Sequence, residues 1–446
     1  MPSGIHAPTL CGLFIANNIN ERGVLVMHVI EIYPKVVPAH HSSTVYFRIS
    51  GATATPEVRL QPMEVYTISH APDYWSHHGD RYPWVALTDC GDGLYCADLT
   101  FTAEQRYSVR VQVGEEEIYS GYLYAVDPDL AALRPYKGDT HLHTNRSDGL
   151  DEPFTVACAA CAEGYDFVAI TDHGRFYPSD ELQAELAAMT RRFRVMHGEE
   201  VHPKGGSYFH IVSLNATRHV TEVFEQRADY AAAEIDRILA EKDLSACADP
   251  RAAAIRLFIV DEIHRAGGFA VLAHPFWESG GEYNYQTAEC LYHLRGGHFD
   301  ALELFGGNDD TGNGNNLLEL VWHDLRAEGH RIPIVGSSDG HTATIYGDYD
   351  HFSRQFSLIF ATDYDQLLSA IADGRSVAVR RESHKHFRCV GDYRYAKYAR
   401  FLMAEYYTAR HGLDVAYAEA LAARDTDALA AAEADLAVFD AKFYGI

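Results

Sequence analysis

The stretch Lys137–Gly149 (KGDTHLHTNRSDG) carries two histidines one residue apart, His141 and His143, and an aspartate five residues later, Asp148. Side chains two positions apart on a strand point to the same side, so His141 and His143 can face one ligand together. Imidazole and carboxylate groups in combination suit Zn²⁺, Mn²⁺ or Fe²⁺. The stretch therefore predicts part of a divalent metal site.

Metal-capable side chains also stand at or near the ends of five further predicted strands. They are Asp172 and His173, Glu199 and Glu200, His210, His274, and Asp339 and His341. Active sites of parallel α/β barrels form where the loops that follow the strands converge. One cation takes about four to six ligands. A set of this size predicts two or three ions, some of which share a bridging carboxylate.

The elements that must position these residues alternate between short apolar strands and helix-like runs from Lys137 onward. The strand candidates are KGDTHLH, FVAITDH, FRVMHGEEV, FHIVSLN, FAVLAHP, ALELFGG and IPIVGSSDGH. The helix candidates are EPFTVACAACAEG, SDELQAELAAMTRR, AAAIRLFIVDEIHRAGG and NLLELVWHDLRAEG. Serial β-then-α units indicate parallel strands joined by helical crossovers, in an open sheet or a closed barrel. The connection after FHIVSLN is too long for one crossover and predicts an additional helix near Thr221 to Lys242.

The chain before this region has the pattern of β structure. Tyr107, Val109, Val111 and Val113 alternate with polar residues, as in a half-buried strand. Similar segments predict a small antiparallel β-sandwich over residues 1–132. The α/β barrel is predicted over residues 133–390, with a helical insertion at about 217–245. The Ala-rich segment 391–446 predicts a helical extension, and the helical segments offer contacts for a homo-oligomer.

Composition argues against several classes of function. The 446 residues include 37 Lys and Arg against 63 Asp and Glu, a formal charge of −26. Nucleic-acid binders present basic surfaces, so this balance argues against DNA or RNA as a partner. No apolar run reaches membrane-spanning length, and no signal segment is visible at the N terminus. Together with scattered cysteines, these features predict a cytoplasmic protein with reduced thiols that acts on a small molecule.

Residues 137 to about 385 resemble the PHP family, named for polymerase and histidinol phosphatase domains. The motifs that carry the resemblance occur in the family's order: DTHLHTNRSDG, AITDHG, HGEEV, HIVSLN, LAHP and GSSDGH. The resemblance implies a distorted barrel of seven β/α units that holds three divalent ions, of manganese, iron or zinc. The ligands that it implies for one ion are His141, His143, Glu200 and Asp339. The second ion would share Glu200 and add His210 and His274, and the third would be held by Asp148, His173 and His341.

The family pattern has one apolar position that this sequence lacks, because Glu199 precedes Glu200. Glu200 is assigned as the bridging ligand since it precedes the apolar Val201, as the pattern requires. Asp172 follows the second strand beside His173 and has two interpretations. It either fixes an imidazole from outside the ligand shell or caps its own loop. Glu200 and Asp172 are the residues to which a catalytic role is assigned.

A water that bridges two cations loses its proton near neutral pH and becomes a positioned hydroxide, so no Ser or Cys nucleophile is needed. The resemblance favours a phosphoesterase that acts on a small phosphorylated metabolite or nucleotide. Basic residues follow four of the motifs, namely Arg146, Arg175, Lys204 and Arg218. They could hold a phosphate or be solvated loop residues. Asn308, which follows Phe305 and two glycines, stands near the position of a family asparagine and is a further candidate substrate contact.

Two other functions stay open at this point. A bridging hydroxide also attacks carbonyl carbon, and some PHP-like proteins with an added N-terminal domain resemble hydrolases of carbamates or other esters. The other alternative is a non-catalytic binding module in which the metals are structural. The complete ligand set speaks against this alternative, because a decayed site would lose ligands at no cost to folding.

Overall fold

A computed structural model describes residues 28–64, 82–203, 209–279, 281–307, 313–343, 352–383 and 386–446. The chain divides into two compact units. The first takes in the described residues up to Leu133 together with Glu405–Leu413 and Ala434–Ile446. The second comprises Arg134–Ala404 and Asp414–Glu433. The domain limits at 132 and 390 stay predictions.

The β part of the first unit is a sandwich of two sheets. Its strands are β1 His28–Tyr33, β2 Val36–Pro38, β3 His41–Ser50, β4 Pro56–Pro62, β5 Val85–Ala86, β6 Thr88–Gly91, β7 Leu94–Phe101, β8 Gln105–Val113 and β9 Glu116–Val126. One sheet has the order β1-β3-β7-β6 and the other the order β2-β9-β8-β4-β5. Pairing is antiparallel throughout, except that β2 lies parallel to β9.

The sandwich core follows from the alternation in the sequence. Val109 and Val111 of β8 are fully buried and belong to the same apolar cluster as Val45 and Phe47 of β3, in the other sheet. Between them in sequence, Arg110 is exposed. Strands that bury every second side chain form such a two-sheet core. The predicted N-terminal sandwich is therefore confirmed, with one parallel pair added.

The second unit contains a mixed ten-stranded sheet. Its strands are β10 Arg134–Leu142, β11 Phe167–Ile170, β12 Arg194–Val201, β13 Ile211–Leu214, β14 Phe269–Leu272, β17 Ala301–Phe305, β18 Ile334–Gly336, β19 Gln355–Ala361, β20 Ser376–Ser383 and β21 His386–Val390. The order is β18-β17-β14-β13-β12-β11-β10-β19-β20-β21. A separate two-stranded ribbon consists of β15 Glu278–Ser279 and β16 Glu282–Tyr283. Each of the seven predicted strands is present.

The backbone just past β18 returns to β10 and brings the seven strands into a distorted barrel. Asp339 N donates to His141 O at 3.0 Å, and His143 N donates to Gly340 O at 3.0 Å. Between these two bonds, Leu142 and Gly340 form a parallel bridge. The predicted α/β barrel fold is confirmed, and these bonds favour the barrel over the open sheet.

One strand runs in the direction opposite to the prediction. β13 lies antiparallel to both β12 and β14, whereas parallel strands were expected throughout. The connection from β12 to β13 spans only residues 202–210. A parallel crossover needs about a dozen residues or more, usually including a helix, so this loop is too short to make one.

Of the twelve α-helices in the described residues, nine lie in predicted helical runs, with shifted ends, whereas the first, seventh and ninth in chain order were not predicted. The twelve are α1 Pro128–Ala131, α2 Pro153–Ala162, α3 Tyr177–Leu186, α4 Glu222–Gln226, α5 Ala228–Glu241, α6 Pro250–Arg265, α7 Thr287–Gly296, α8 Asn313–Ala327, α9 Leu367–Ala372, α10 Tyr393–Leu402, α11 Thr408–Ala422 and α12 Thr426–Tyr444. A π-helical turn at Met403–Tyr407 joins α10 to α11. The helix predicted near Thr221–Lys242 is two helices, since Arg227 between α4 and α5 leaves helical geometry with φ −135°. Within the described ranges, no helix combines the length and apolar character that crossing a bilayer requires.

Gly138 lets the first barrel strand approach the second closely. A Cβ at Gly138 would lie 2.5 Å from the carbonyl oxygen of Phe167, its partner on β11. We expect Gly138→Ala to lower the free energy of unfolding by about 2 kcal/mol, because the two strands must separate to admit the methyl group. Urea unfolding followed by circular dichroism measures this change.

Gly412 provides a matched control for that substitution. It lies within α11 and is exposed, and a Cβ added there would meet no atom within 4 Å. We expect Gly412→Ala to raise the free energy of unfolding by about 0.5–1 kcal/mol, as in other helix interiors. Equal effects of the two substitutions would contradict the close approach of β10 and β11.

Candidate metal centre

The nine side chains predicted as metal ligands lie together at one end of the barrel. His141 and Glu200 belong to β10 and β12, and the other seven stand in the loops that flank the barrel strands. Their ligand atoms form groups in which all atoms lie within 4.8 Å of one another: His141, His143, Glu200 and Asp339; Glu200, His210 and His274; and His143, Asp148, His173 and His341. The buried clusters fit a polynuclear metal site.

The reversal of β13 explains how His210 joins this end. His210 lies just before the first residue of β13. The other ligands outside the strands lie in loops that begin at the C-terminal end of a strand. Because β13 is antiparallel to β12 and β14, its first residues lie beside the last residues of its neighbours. Val201 pairs with Ile211, and Ile211 pairs with Leu272. An all-parallel barrel would have placed His210 at the opposite end.

The first group has the spacing of a cation's ligand shell. Nε2 of His141 and Nε2 of His143 are 3.2 Å apart, and both lie near Oδ1 of Asp339, at 3.2 Å and 2.9 Å. Oε2 of Glu200 lies 3.2 Å and 3.3 Å from the same two nitrogens. Four ligands placed tetrahedrally at zinc bond lengths are separated by about 3.3 Å. The residues therefore fit one divalent ion.

Glu200 stands between the first and second groups. Its Oε2 faces His141 and His143, whereas its Oε1 lies 2.7 Å from Nδ1 of His210 and 3.9 Å from Nε2 of His274. Both ring nitrogens of His274 are buried and lack a hydrogen-bond partner among the described residues. An unpaired buried polar group costs about 1–3 kcal/mol. The two carboxylate oxygens of Glu200 thus point at two different candidate ion positions.

Asp148 connects the third group, which is the most exposed of the three. Its carboxylate oxygens lie 3.3 Å from Nε2 of His173, 3.5 Å from Nε2 of His341 and 3.7 Å from Nδ1 of His143. About half of the Asp148 side chain, 54%, is exposed to solvent, whereas Glu200 is almost fully buried. A substrate that approaches from solvent would therefore meet this group first.

Glu199 points away from the clusters. Its carboxylate accepts hydrogen bonds from the backbone N–H groups of Val220 and Thr221, at 2.8 Å and 2.9 Å. Successive residues of a strand face opposite sides, so Glu199 and Glu200 of β12 cannot both reach the clusters. This geometry favours Glu200 over Glu199 as the bridging residue.

The hydrogen bonds of Asp172 favour the interpretation that it caps its loop over the interpretation that it fixes an imidazole. Its carboxylate accepts from the backbone N–H and the hydroxyl of Thr144, at 2.9 Å and 2.8 Å, and from the hydroxyl of Ser147 at 2.6 Å. These bonds hold the loop that carries His143 and Asp148. The hydrogen bonds described for Asp172 include none to an imidazole, so its assigned catalytic role gains no support from the geometry.

Glu303 was missed by the sequence reasoning. It is fully buried in β17, and its Oε2 lies 2.9 Å from Nδ1 of His141. A carboxylate in this position fixes the orientation of a ligand imidazole and leaves Nε2 facing the ion position. The signal in the sequence was a charged residue inside the apolar strand ALELF, where an unpaired carboxylate would be costly.

A second buried carboxylate, that of Asp139, holds the backbone of two ligand segments. It accepts from His141 N at 3.0 Å and from Ser338 N at 3.1 Å. Burial raises the pKa of Asp139 to about 8, and the hydrogen bonds from Ser338 and His141 partly offset this effect. Asp139 therefore ties the end of β10 to the segment after β18.

The predicted substrate contacts have different surroundings. Arg146 donates to Glu181 at 2.9 Å and pairs with Glu152 at 2.8 Å. Arg175 is exposed, and the hydrogen bond described for its guanidinium goes to its neighbour's carbonyl, Gly174 O. Lys204 and Asn308 lie outside the described residues. Of the two arginines in this set, Arg146 is paired with carboxylates, whereas Arg175 has no ion pair with a carboxylate among the described residues.

Two imidazoles of the third group, those of His173 and His341, hold protons more tightly than usual. Burial alone would lower the pKa of His173 and of His341, but nearby carboxylates outweigh it. The charge of Glu200 and the hydrogen bond with Asp148 raise the pKa of His173 to about 10. The hydrogen bond with Asp148 and the charge of Asp339 raise the pKa of His341 to about 9. At pH 7 both rings are therefore cationic in the metal-free protein.

Comparison with known proteins gives distant structural similarity only. No family model and no curated protein sequence matches this chain. The chain is similar to a two-domain protein from Bacteroides vulgatus that contains a predicted PHP-like metal-dependent phosphoesterase, with 18% identity and a TM-score of 0.38 over 56% of this chain and 66% of that one. It is also similar to an amidohydrolase from Chromobacterium violaceum, solved with bound sulfate and no metal, with 20% identity and a TM-score of 0.31 over 48% of this chain and 90% of that one. The match to the Bacteroides protein spans slightly less than two thirds of its length.

Removing the Glu303 carboxylate tests its effect on His141. We expect Glu303→Ala to weaken metal binding about 10–100-fold, the usual cost of losing a partner behind a ligand histidine. Glu303→Gln should lose much less affinity, because its amide oxygen can still accept from Nδ1. Competition with a fluorescent chelator measures the affinity. Equal losses in both variants would show that the carboxylate charge matters and the hydrogen bond to His141 does not.

The raised pKa values predict that metal binding releases protons. His173 and His341 must lose their protons to act as ligands, so we expect net proton release at pH 7 and a rise in affinity as the pH approaches 9. Calorimetry in buffers of different ionisation enthalpy measures the release. His341→Ala should release fewer protons than the parent protein. Release that is unchanged in this variant would contradict the assignment.

The raised pKa values also predict how the stability of the metal-free protein changes with pH. The folded pKa of His341, about 9, lies above its ordinary value of 6.5. The resulting stabilisation is fully present below pH 6.5 and is lost as the pH rises through 9. The metal-free protein should therefore unfold more readily at pH 10 than at pH 7, and this difference should shrink in His341→Ala.

Proposed function

We propose that this chain is a metal-dependent hydrolase of the PHP type that acts as a phosphoesterase on a small phosphorylated metabolite or nucleotide. The observation that carries the proposal is the position of Glu200. Its two carboxylate oxygens face separate sets of imidazole and carboxylate groups, and the oxygen-to-nitrogen distances are 2.7 Å to His210 and 3.2 Å to His141. Adjacent cation positions that share one carboxylate are typical of metal-assisted hydrolysis.

The residues around the clusters define what each part of the chain would do. Bound divalent ions would supply Lewis-acid activation of water and of the substrate's oxygen atoms. His141, His143, Glu200 and Asp339 would hold one ion in the buried part of the site. Asp148, His173 and His341 would hold another at the more exposed side. Manganese, iron and zinc all suit this mixture of imidazole and carboxylate ligands.

Arg175 is the described residue best suited to hold the substrate's negative charge. Its side chain is exposed two residues after His173. A guanidinium binds phosphate oxygens through two parallel N–H bonds, which gives both affinity and orientation. Within the hydrolase proposal, the choice of a phosphoester as substrate rests on this residue and on the motif resemblance.

A second candidate is a hydrolase of carboxylic or carbamate esters with the same metal ligands. The ion pairs of Arg146 favour it, because this predicted basic residue pairs with Glu181 and Glu152. These pairs neutralise positive charge that a phosphate would otherwise use. A carbonyl ester needs less positive charge at the mouth of the site.

A hydrolysis screen distinguishes the two candidates. Purified protein loaded with manganese would be offered phosphomonoesters, phosphodiesters, and aryl carboxylate and carbamate esters. Turnover of a phosphoester that is lost in both His143→Ala and His341→Ala supports the proposal, provided that both variants keep the thermal unfolding of the parent. Turnover confined to carbonyl esters favours the second candidate. No turnover with metal bound would overturn both and favour a binding module.

The role of Arg175 has a separate test on any phosphoester that is turned over. We expect Arg175→Ala to lower kcat/KM about 10–100-fold, mostly through KM, because it removes charge-assisted hydrogen bonds to the substrate. Arg218→Ala is the matched control, since Arg218 pairs with Glu262, and it should change kcat/KM little. An equal loss of kcat/KM in both variants would show that the overall positive charge of the protein, and not a contact between Arg175 and the substrate, determines the rate.

A further inference from the structure

Two cysteines of the β-sandwich face each other across a hairpin, far along the chain from the metal ligands. Sγ of Cys90 lies 3.1 Å from Sγ of Cys96. Cys90 belongs to β6 and Cys96 to β7, which are antiparallel neighbours. The separation is shorter than an ordinary contact between two sulfur atoms, and a disulfide requires about 2 Å. A movement of about 1 Å would therefore join them.

A β-bulge at Cys90 produces this approach. The register pairs Asp89 with Tyr95 and Gly91 with Leu94, so Cys90 is an extra residue between two paired positions. A bulge bends its strand and redirects the side chain of the extra residue. Cys96 pairs with Thr88, two residues before Cys90. Side chains two apart share a face, so the bulge directs Cys90 toward Cys96 on that face.

The turn between the two strands is shaped for a tight return. Gly91, Asp92 and Gly93 all have positive φ, at 89°, 53° and 73°. Gly91 N donates to the side chain of Asp89 at 2.8 Å, and Ile49 N donates to Gly93 O at 2.8 Å. The first bond lies within the hairpin, and the second holds the hairpin on the neighbouring strand β3. The closeness of the sulfur atoms is thus a property of a well-connected turn.

Exposure separates Cys90 from the other described cysteines. Cys90 is exposed, whereas Cys161, Cys247 and Cys290 are buried. Burial raises the pKa of Cys158 to about 11 and that of Cys290 to about 12, which keeps these thiols protonated and unreactive. Among the cysteines in the described part of the chain, Cys90 is therefore the one most open to a reagent in solution.

We propose that Cys90 and Cys96 are a redox-modification site that closes into a reversible disulfide on the solvent face of the sheet. The oxidant is a low-molecular-weight disulfide such as oxidised glutathione. The Cys90 thiolate attacks one glutathione sulfur, which breaks the S–S bond and releases one glutathione thiolate. The Cys96 thiolate then attacks the Cys90 sulfur and expels the second glutathione. The two protons of the protein thiols end on two glutathione molecules, which take up the two electrons.

The bond would act on the edge of the four-stranded sheet. β6 is the last strand in the order β1-β3-β7-β6, and all four of its residues are exposed. An edge strand with a single neighbour separates from its sheet more easily than a central strand, and its free edge can pair with other chains. A covalent bond from β6 to β7 keeps the edge strand in place. The inference is independent of the proposed hydrolase function.

The sequence offers a direct test by mass spectrometry. Trypsin releases residues 82–106 as one peptide, which contains Cys90 and Cys96 and no other cysteine. The native full-length protein is incubated with oxidised glutathione, alkylated with iodoacetamide and digested. We expect this peptide to lack both alkyl groups and to be lighter than its reduced form by two hydrogen atoms. Dithiothreitol before alkylation should restore two alkylated cysteines.

Matched variants identify the roles of the two sulfurs. Cys96→Ser should accumulate a glutathione adduct at Cys90, because no second thiol can resolve it. In Cys90→Ser, Cys96 should react with oxidised glutathione more slowly than Cys90 does in the parent protein. Cys96 should therefore remain a free thiol that iodoacetamide alkylates. In the parent protein, a stable glutathione adduct at Cys90, or two alkylated cysteines at excess oxidant, would overturn the proposal.

Unfolding supplies the control for geometry. We expect closure to be at least ~10-fold faster in the native protein than in urea, because the fold holds the two sulfurs together. Equal rates in the native and unfolded chains would show that closeness in sequence is sufficient, and would overturn the structural argument.

Discussion

The burial of one carboxylate among several imidazoles is the constraint on which the barrel end depends. Glu200 is almost fully buried, and its oxygens lie within 3.3 Å of ring nitrogens of His141, His143, His173 and His210. Burial would raise its pKa, but the charges of the surrounding histidines outweigh this effect and hold the pKa of Glu200 well below its usual range. An ionised buried carboxylate is tolerated only with such partners. The imidazoles that satisfy this charge come from β10 and from the loops beside β10, β11 and β13.

The barrel's irregularity follows from the same requirement. β13 reverses direction, and this reversal brings His210 within 2.7 Å of Glu200. On β12, Gly198 allows a close approach to β11, because a Cβ there would lie 2.6 Å from the carbonyl oxygen of Ile170. Behind the ligands, Glu303 orients His141, and Asp139 ties β10 to the segment after β18. Both of these supporting carboxylates are fully buried, as is the ligand His141.

The sequence predicted those features of the fold that depend on patterns among neighbouring residues. The seven barrel strands and the sandwich alternation follow from apolar runs of period two or of strand length, and all are present. The direction of β13 did not follow, because it depends on the shortness of the connection from β12, and the run FHIVSLN has the same pattern in either direction. Helices α4 and α5 were read as one because neither Pro nor Gly marks the break at Arg227.

The candidate ligands were easier to predict than the residues around them. A ligand histidine stands at a strand end inside a motif, whereas Glu303 lies within an apolar strand and its partner His141 is on another strand, 162 residues away. Arg146 looked available in the sequence, but its partner Glu181 comes from α3. Such long-range pairs decide which charges remain for a substrate, and single-sequence patterns do not contain them.

The most direct test of the central claim is a crystal structure of manganese-loaded protein, with anomalous difference maps recorded on both sides of the manganese absorption edge. The account predicts separate manganese peaks on the two sides of the Glu200 carboxylate. One peak would contact Oε2 together with His141, His143 and Asp339, and another would contact Oε1 together with His210 and His274. A Glu200 that contacts a single ion, or manganese bound away from these residues, would contradict the account.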